Sequence, residues 1–173
     1  MLNILLIMLI YLAVFYISMF ISTILHELGH AVMALILTKN DVIIKLGNDK
    51  LIKNIKIKRL TTELHQSPFI GFTYFDTEGS WLKRALICLS GPIVSFVVAL
   101  IIFRLIADAE RNIYIFMLQI YGYVSLFQGI MTIIPMIYRG GPYGGHKSDG
   151  YLAVEVIADH IKSKRNDREN KPV

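Results

Sequence analysis

Cysteine is nearly absent from this chain. Cys88 is the only one in 173 residues, so no intramolecular disulfide and no cysteine-rich zinc cluster can form. Lodged in an apolar run, Cys88 reads as a small packing residue. Basic charge is missing from the front of the chain, where no Lys or Arg precedes Lys39. A secretory leader needs a basic start and a short apolar core. Here the apolar stretch runs far past that length, which predicts a retained span. Proline is scarce as well, and none interrupts the leading run. No internal repeat is present.

What the chain has is hydrophobicity. Apolar residues make up 54% of it and are gathered in long runs, the pattern of a membrane protein. The net charge of +5 would raise the question of nucleic acid in a soluble chain. The basic residues lie between and after the apolar runs, and no recognition motif accompanies them. A solvated face is therefore the reading, and nucleic acid is excluded as a partner.

Residues 2–38 exceed the roughly 20 residues needed to cross a bilayer, and one long, tilted helix is predicted there. Residues 39–83 change character, with short alternating pieces among lysines. Residues 42–46, the turn Gly47-Asn48-Asp49 and residues 51–58 read as a β-hairpin. Ile55 and Ile57 alternate with Lys56 and Lys58, and residues 69–75 can add a further strand, giving a β region over about 40–76. Further spans are predicted over 85–107, with Trp81 as an interface anchor, and over 113–137, with Pro135 near the end. A glycine-rich loop over 139–148, a short helix over 151–161 and a charged, disordered tail over 162–173 complete the chain. The expected fold is an all-α membrane protein with a small β element. Its core is three transmembrane helices, in one domain over residues 1–161.

Nine of the 18 Lys and Arg residues lie in 39–84, seven follow Ile137, and two flank the 104–111 turn. The positive-inside rule then puts the N-terminus outside and both the β region and the C-terminus in the cytosol, as for a multi-pass protein of the cell membrane.

The first span contains His26-Glu27-Leu28-Gly29-His30, an H-E-x-x-H sequence. Residues four apart share a helix face, so both imidazoles can reach one metal ion, and Glu27 lies near enough to act on a bound water. In a soluble helix such a pattern can arise by accident. Inside a span, one charged residue costs about 2.5–3.5 kcal/mol on insertion scales, and metal binding compensates that cost. Catalytic zinc takes three protein ligands and leaves a fourth position open. Two weaker features follow: Ser90-Gly91-Pro92, with Ser95 one turn on, and Asp149-Gly150. Counted at 1.5 Å per residue, His30 lies about 13 Å below Lys39, and Gly91 about 10 Å below Arg84 on the same side.

In motif order and spacing the chain resembles the site-2 protease family of zinc intramembrane metalloproteases, over roughly residues 15 to 161. The resemblance implies a three-helix core with Zn2+ bound by His26, His30 and Asp149. It implies Glu27 as catalytic base and Gly91, Pro92 and Gly150 as supporting motif residues. It also implies a transmembrane protein substrate, and strands after the first core helix that align an extended segment of it. Two departures stand out. Ser95 replaces the usual Asn after Gly-Pro. Thirteen residues separate Pro135 from Asp149 where the family has a short link, so the loop must fold back. His146 within that loop is a rival third ligand. Asp149 is favoured because Gly150 and the apolar helix after it suit the pattern.

Two other functions compete. One is a catalytically silent relative that binds a membrane partner; an intact Glu27 argues against it. The other is a metal transporter or sensor, for which ligands spread along a path are expected rather than a cluster. Serine or aspartate intramembrane proteolysis lacks its partners: no histidine shares a span with Ser90 or Ser95, and no second buried Asp forms a dyad.

Overall fold

The computed structural model describes residues 2–169. In chain order the elements are α1 (Leu2–Leu37), β1 (Val42–Ile57), β2 (Leu60–Tyr74), α2 (Trp81–Ile106), α3 (Ile113–Ile133), one 3-10 turn (Gly141–Tyr143) and α4 (Asp149–Glu169). The chain is mostly helical. Three of its helices, over Ile4–Leu37, Trp81–Ile106 and Ile113–Ile133, are long and apolar enough to cross a membrane.

With no proline and no charged turn to stop it, the leading apolar run forms a single helix of 36 residues. At 1.5 Å per residue this is about 54 Å, well beyond a 30 Å hydrocarbon core. Its first half exposes Ile4, Leu5, Met8 and Leu12. In its second half Ala31 and Ala34 are fully buried beneath Val42, Ile44 and Leu46 of β1 and Ile87 of α2. Small side chains on the helix are what let the sheet lie this close. Arg59 fixes the arrangement. Its guanidinium donates to Thr38 O (2.7 Å) and Leu35 O (2.8 Å), which lack helical donors at the end of α1.

The sheet departs from the expected hairpin. Gly47 and Asp49 do take positive φ (91° and 63°) and bend β1, but the two arms do not pair with each other. Residues 60–66 lie between them. Val42 to Leu46 pair in parallel with Leu60 to Leu64, and Leu51 to Ile57 pair antiparallel with His65 to Leu60. A second bend, at Ser67 (φ 55°), turns β2 back. Gly71 to Tyr74 then run antiparallel to Leu46 to Ile43. The central arm, 42–46, is thus bonded on both sides, which agrees with its burial, while all of 50–57 is exposed. Register follows the face that must be buried, and the Ile- and Leu-bearing face of 42–46 is the one that meets α1.

Helix α2 is the centre of the bundle and touches α1, α3 and α4. It begins at Trp81, four residues before the expected start, because Trp81 stacks on His160 of α4 (4.4 Å, 15°). Helix α3 opens on Asn112, whose side chain accepts from the amides of Tyr114 and Ile115 (3.0 Å each). It ends at Ile133 rather than 137, since the residue before Pro135 is driven to extended backbone. The charged segment expected to be disordered continues α4 to Glu169. Its Lys, Arg and Glu residues are strong helix formers. Residues 170–173 lie outside the described part.

Candidate metal centre

Four-residue spacing on α1 brings His26 and His30 together as the sequence predicts. Their rings stand edge to face 4.9 Å apart, with Nε2 atoms separated by 3.2 Å. Both side chains are buried. Each ring is held by its other nitrogen. His30 Nδ1 lies 2.7 Å from the carbonyl oxygen of Ile87. A carbonyl only accepts, so that nitrogen carries the proton and Nε2 presents a lone pair. His26 Nδ1 lies 2.9 Å from Ser95 Oγ, whose own proton goes to Gly91 O (3.3 Å). This network assigns His26 the same tautomer.

Into that pair comes Asp149. Its Oδ2 is 3.0 Å from His26 Nε2 and 3.4 Å from His30 Nε2. The ligand atoms of His26, His30 and Asp149 all lie within 4.8 Å of one another. Two imidazole lone pairs and a carboxylate repel unless a proton or a metal cation sits among them. Three ligands on a tetrahedral ion with legs of about 2.0–2.1 Å stand about 3.3 Å apart. The observed separations of 3.0, 3.2 and 3.4 Å match that triangle, so the donor set fits zinc in size and in chemistry.

The route to Asp149 is the loop after Pro135, which folds back as a small hairpin. Its rungs run from Ser148 N to Met136 O (2.9 Å) and from Tyr138 N to His146 O (3.0 Å). Ser148 then locks the start of α4. Its hydroxyl donates to Ile134 O (2.7 Å) and accepts from the amides of Met136 (3.0 Å) and Tyr151 (3.2 Å). The last of these is an N-cap bond at the third helical residue. Gly150 lets α4 press against α3, because a side chain there would run into the Ile133 carbonyl. His146 is exposed, its ring packs on Phe72 (4.6 Å), and it lies outside the ligand group.

Gly91 earns its place by space. A Cβ on it would overlap the imidazole of His30. Pro92, fully buried beside it, removes one helical amide donor. Glu27 is buried on the neighbouring face of α1. Thr73 Oγ1 donates to Glu27 Oε2 (2.7 Å) and approaches Glu27 O (3.2 Å). Gly71 lies directly over the carboxylate, where a Cβ would overlap Glu27 Cγ and Oε1. The inner end of β2, rather than the predicted 42–58 hairpin, is therefore the strand at the site.

The sequence reading missed Ser148, Thr73, Gly71 and Tyr143. Ser148 was findable, since Ser before Asp-Gly and an apolar helix is an N-cap pattern. Thr73 and Gly71 meet Glu27 across more than 40 residues and leave no local signal.

Two cavities flank the cluster. One, of about 230 Å³, is mostly apolar; Met19, Phe69, Val124, Phe127 and Met131 contribute to its wall, and it reaches Glu27 and Asp149. The other, of about 420 Å³, shares Phe72 with it, and Thr73, Cys88 and Leu152 help line it. The centre thus adjoins two spaces that are apolar over most of their walls, of a size to take a substrate side chain.

A comparison with curated proteins found no match. A family model described as Peptidase M50B-like matches residues 1–137, which hold α1 to α3 and with them His26, Glu27, His30, Gly91 and Pro92. With that match over most of its length and three membrane-length helices around a buried histidine pair, the chain belongs to the Peptidase M50B-like family of membrane peptidases, the site-2 protease family.

Proposed function

We propose that the protein is a zinc-dependent endopeptidase that hydrolyses peptide bonds of membrane-spanning substrates. The observation that carries this is the convergence of the ligand atoms of His26 and His30 on α1 with that of Asp149 at the start of α4, all within 4.8 Å and beside Glu27 of α1. His26 and His30 hold the metal through Nε2, and Asp149 through its carboxylate. When bound, zinc supplies a Lewis acid that lowers the pKa of a water and polarises the scissile carbonyl.

The protein's own groups do the rest. Ser95 and the Ile87 carbonyl keep both imidazoles turned to the ion. Thr73 holds Oε2 of Glu27, and Oε1 has no hydrogen bond among the described residues. Glu27 takes a proton from the attacking water as its oxygen bonds to the carbonyl carbon. It returns that proton to the amine as the C–N bond breaks. The substrate helix unwinds and pairs as a strand with the outer edge of residues 71–74, beside Glu27. An apolar side chain of that strand enters the smaller cavity.

The working unit is one membrane-embedded domain over 1–161, in the cell membrane. Its N-terminus is outside and its β region and C-terminus are cytosolic, as the distribution of Lys and Arg supports.

The test is metal content and proteolysis of purified protein, with a reconstituted single-span reporter. Wild type is expected to hold near-stoichiometric zinc. Asp149→Ala should lose it, His146→Ala should keep it, and Glu27→Gln should keep it while losing cleavage by at least about 100-fold. Folded wild type without zinc defeats the proposal. Cleavage undiminished in Glu27→Gln does so as well.

A further inference from the structure

The hairpin over residues 136–148 does more than deliver Asp149. At its tip, Tyr143 reaches across to β2, and its phenolic oxygen accepts the amide proton of Gly71 at 3.2 Å. In an antiparallel strand the N–H and C=O of one residue point to the same side, and the side alternates along the chain. Because the Gly71 amide points at Tyr143 rather than at β1, the outer edge is made by Gly71 and Thr73. That edge is where an added strand would bond. Gly71 is also the residue that lies on the Glu27 carboxylate. The phenol therefore sits on the edge amide nearest the reacting groups, where the carbonyl of a bound strand would sit.

The hold is specific but light. The Tyr143 side chain makes this one hydrogen bond, and its ring contacts Phe72 (5.7 Å) and Tyr138 (5.6 Å). The tip is flanked by Gly140, Gly141, Gly144 and Gly145. Gly141 and Gly145 take positive φ (70° and 83°), which only glycine adopts freely. Gly140 is extended (φ −162°) and a Cβ on it would meet nothing within 4 Å. Neither packing nor conformation requires a glycine there, and its effect is to loosen the hairpin. The base of the same hairpin is fixed by Ser148 and the Tyr138–His146 rung. The tip turn is closed on itself by Gly144 N to Gly141 O (3.0 Å) and His146 N to Tyr143 O (2.9 Å), so its displacement is a tilt of the whole turn, with Asp149 held by the base.

We infer that Tyr143 is a gate residue: it occupies the Gly71 amide, and a substrate strand binds only by displacing it. This rests on the protease reading and adds a competitor built into the chain. Substrate pays for its first edge hydrogen bond by breaking an existing one, which slows non-productive entry.

The experiment compares wild type with Tyr143→Phe, which keeps the ring and removes the acceptor. The first readout is hydrogen exchange at the Gly71 amide in metal-loaded protein without ligand, with thermal unfolding as the fold control. The second is affinity for a defined probe, an extended Leu-Phe-Ala peptide capped with a hydroxamate. Faster exchange at Gly71 is expected, with probe binding about 2- to 10-fold tighter, the range spanned by one neutral hydrogen bond. Unchanged exchange, or weaker probe binding by the variant, overturns the gate. Faster exchange with no probe binding by either form instead overturns the protease reading, and the gate with it.

Discussion

Gly150→Ala is a small change with a large expected consequence. Gly150 is the second residue of α4, and that helix begins against the last turn of α3. An added methyl would overlap the Ile133 carbonyl oxygen and crowd its carbonyl carbon and Cα. All three are backbone atoms, so no rotamer change relieves the overlap. Two effects oppose each other. Alanine is favoured over glycine within a helix by up to about 1 kcal/mol. Overpacking against a fixed wall costs about 1–3 kcal/mol. The position is in the first turn, where the helical preference is only partly realised, so the clash wins by roughly 1–2 kcal/mol. Relief requires the start of α4 to move away from α3, and Asp149 moves with it. A displacement of about 1 Å at a catalytic group can cost about 100-fold in rate.

The assay pairs thermal unfolding in detergent with zinc affinity measured by chelator competition. Gly140→Ala is the matched control, since its methyl meets nothing within 4 Å. A midpoint lowered by about 2–8 °C is expected for Gly150→Ala. Its zinc affinity should fall at least about 10-fold, as when a ligand loses its support. The reasoning is refuted if Gly150→Ala and Gly140→Ala behave alike in both measurements.

Two further substitutions probe the supports of the site. Ser95→Ala removes the group that holds His26 Nδ1 and should weaken zinc binding about 10- to 100-fold; Ser95→Asn, which restores an acceptor, should recover most of it. Thr73→Val keeps the shape but removes the hydroxyl from Glu27 Oε2. It should lower kcat by about 10-fold or more, a hydrogen bond to a charged group being worth about 1.5–3 kcal/mol, while zinc content stays unchanged. Zinc lost from Thr73→Val would mean that Thr73 supports the ligands rather than the base.

Sequence alone determined whatever depends on one period or one run of residues. His26 and His30 share a face because the helix repeats every 3.6 residues, and nothing elsewhere in the chain can undo that. The three membrane-length helices follow from uninterrupted apolar runs, and the bend at Gly47–Asp49 from its turn residues. Contacts between distant segments were decided only in three dimensions. Both arms of β1 have strand character, but composition does not say which partner each takes, and residues 60–66 came between them. Thr73 reached Glu27 across 46 residues. Asp149 and His146 are both able to bind zinc and lie three residues apart. Asp149 reached the site because Ser148 capped α4 and Gly150 let that helix close on α3, leaving His146 outside on the ring of Phe72. The types of the candidate ligands are local chemistry, whereas their meeting point depends on how closely two backbones can approach.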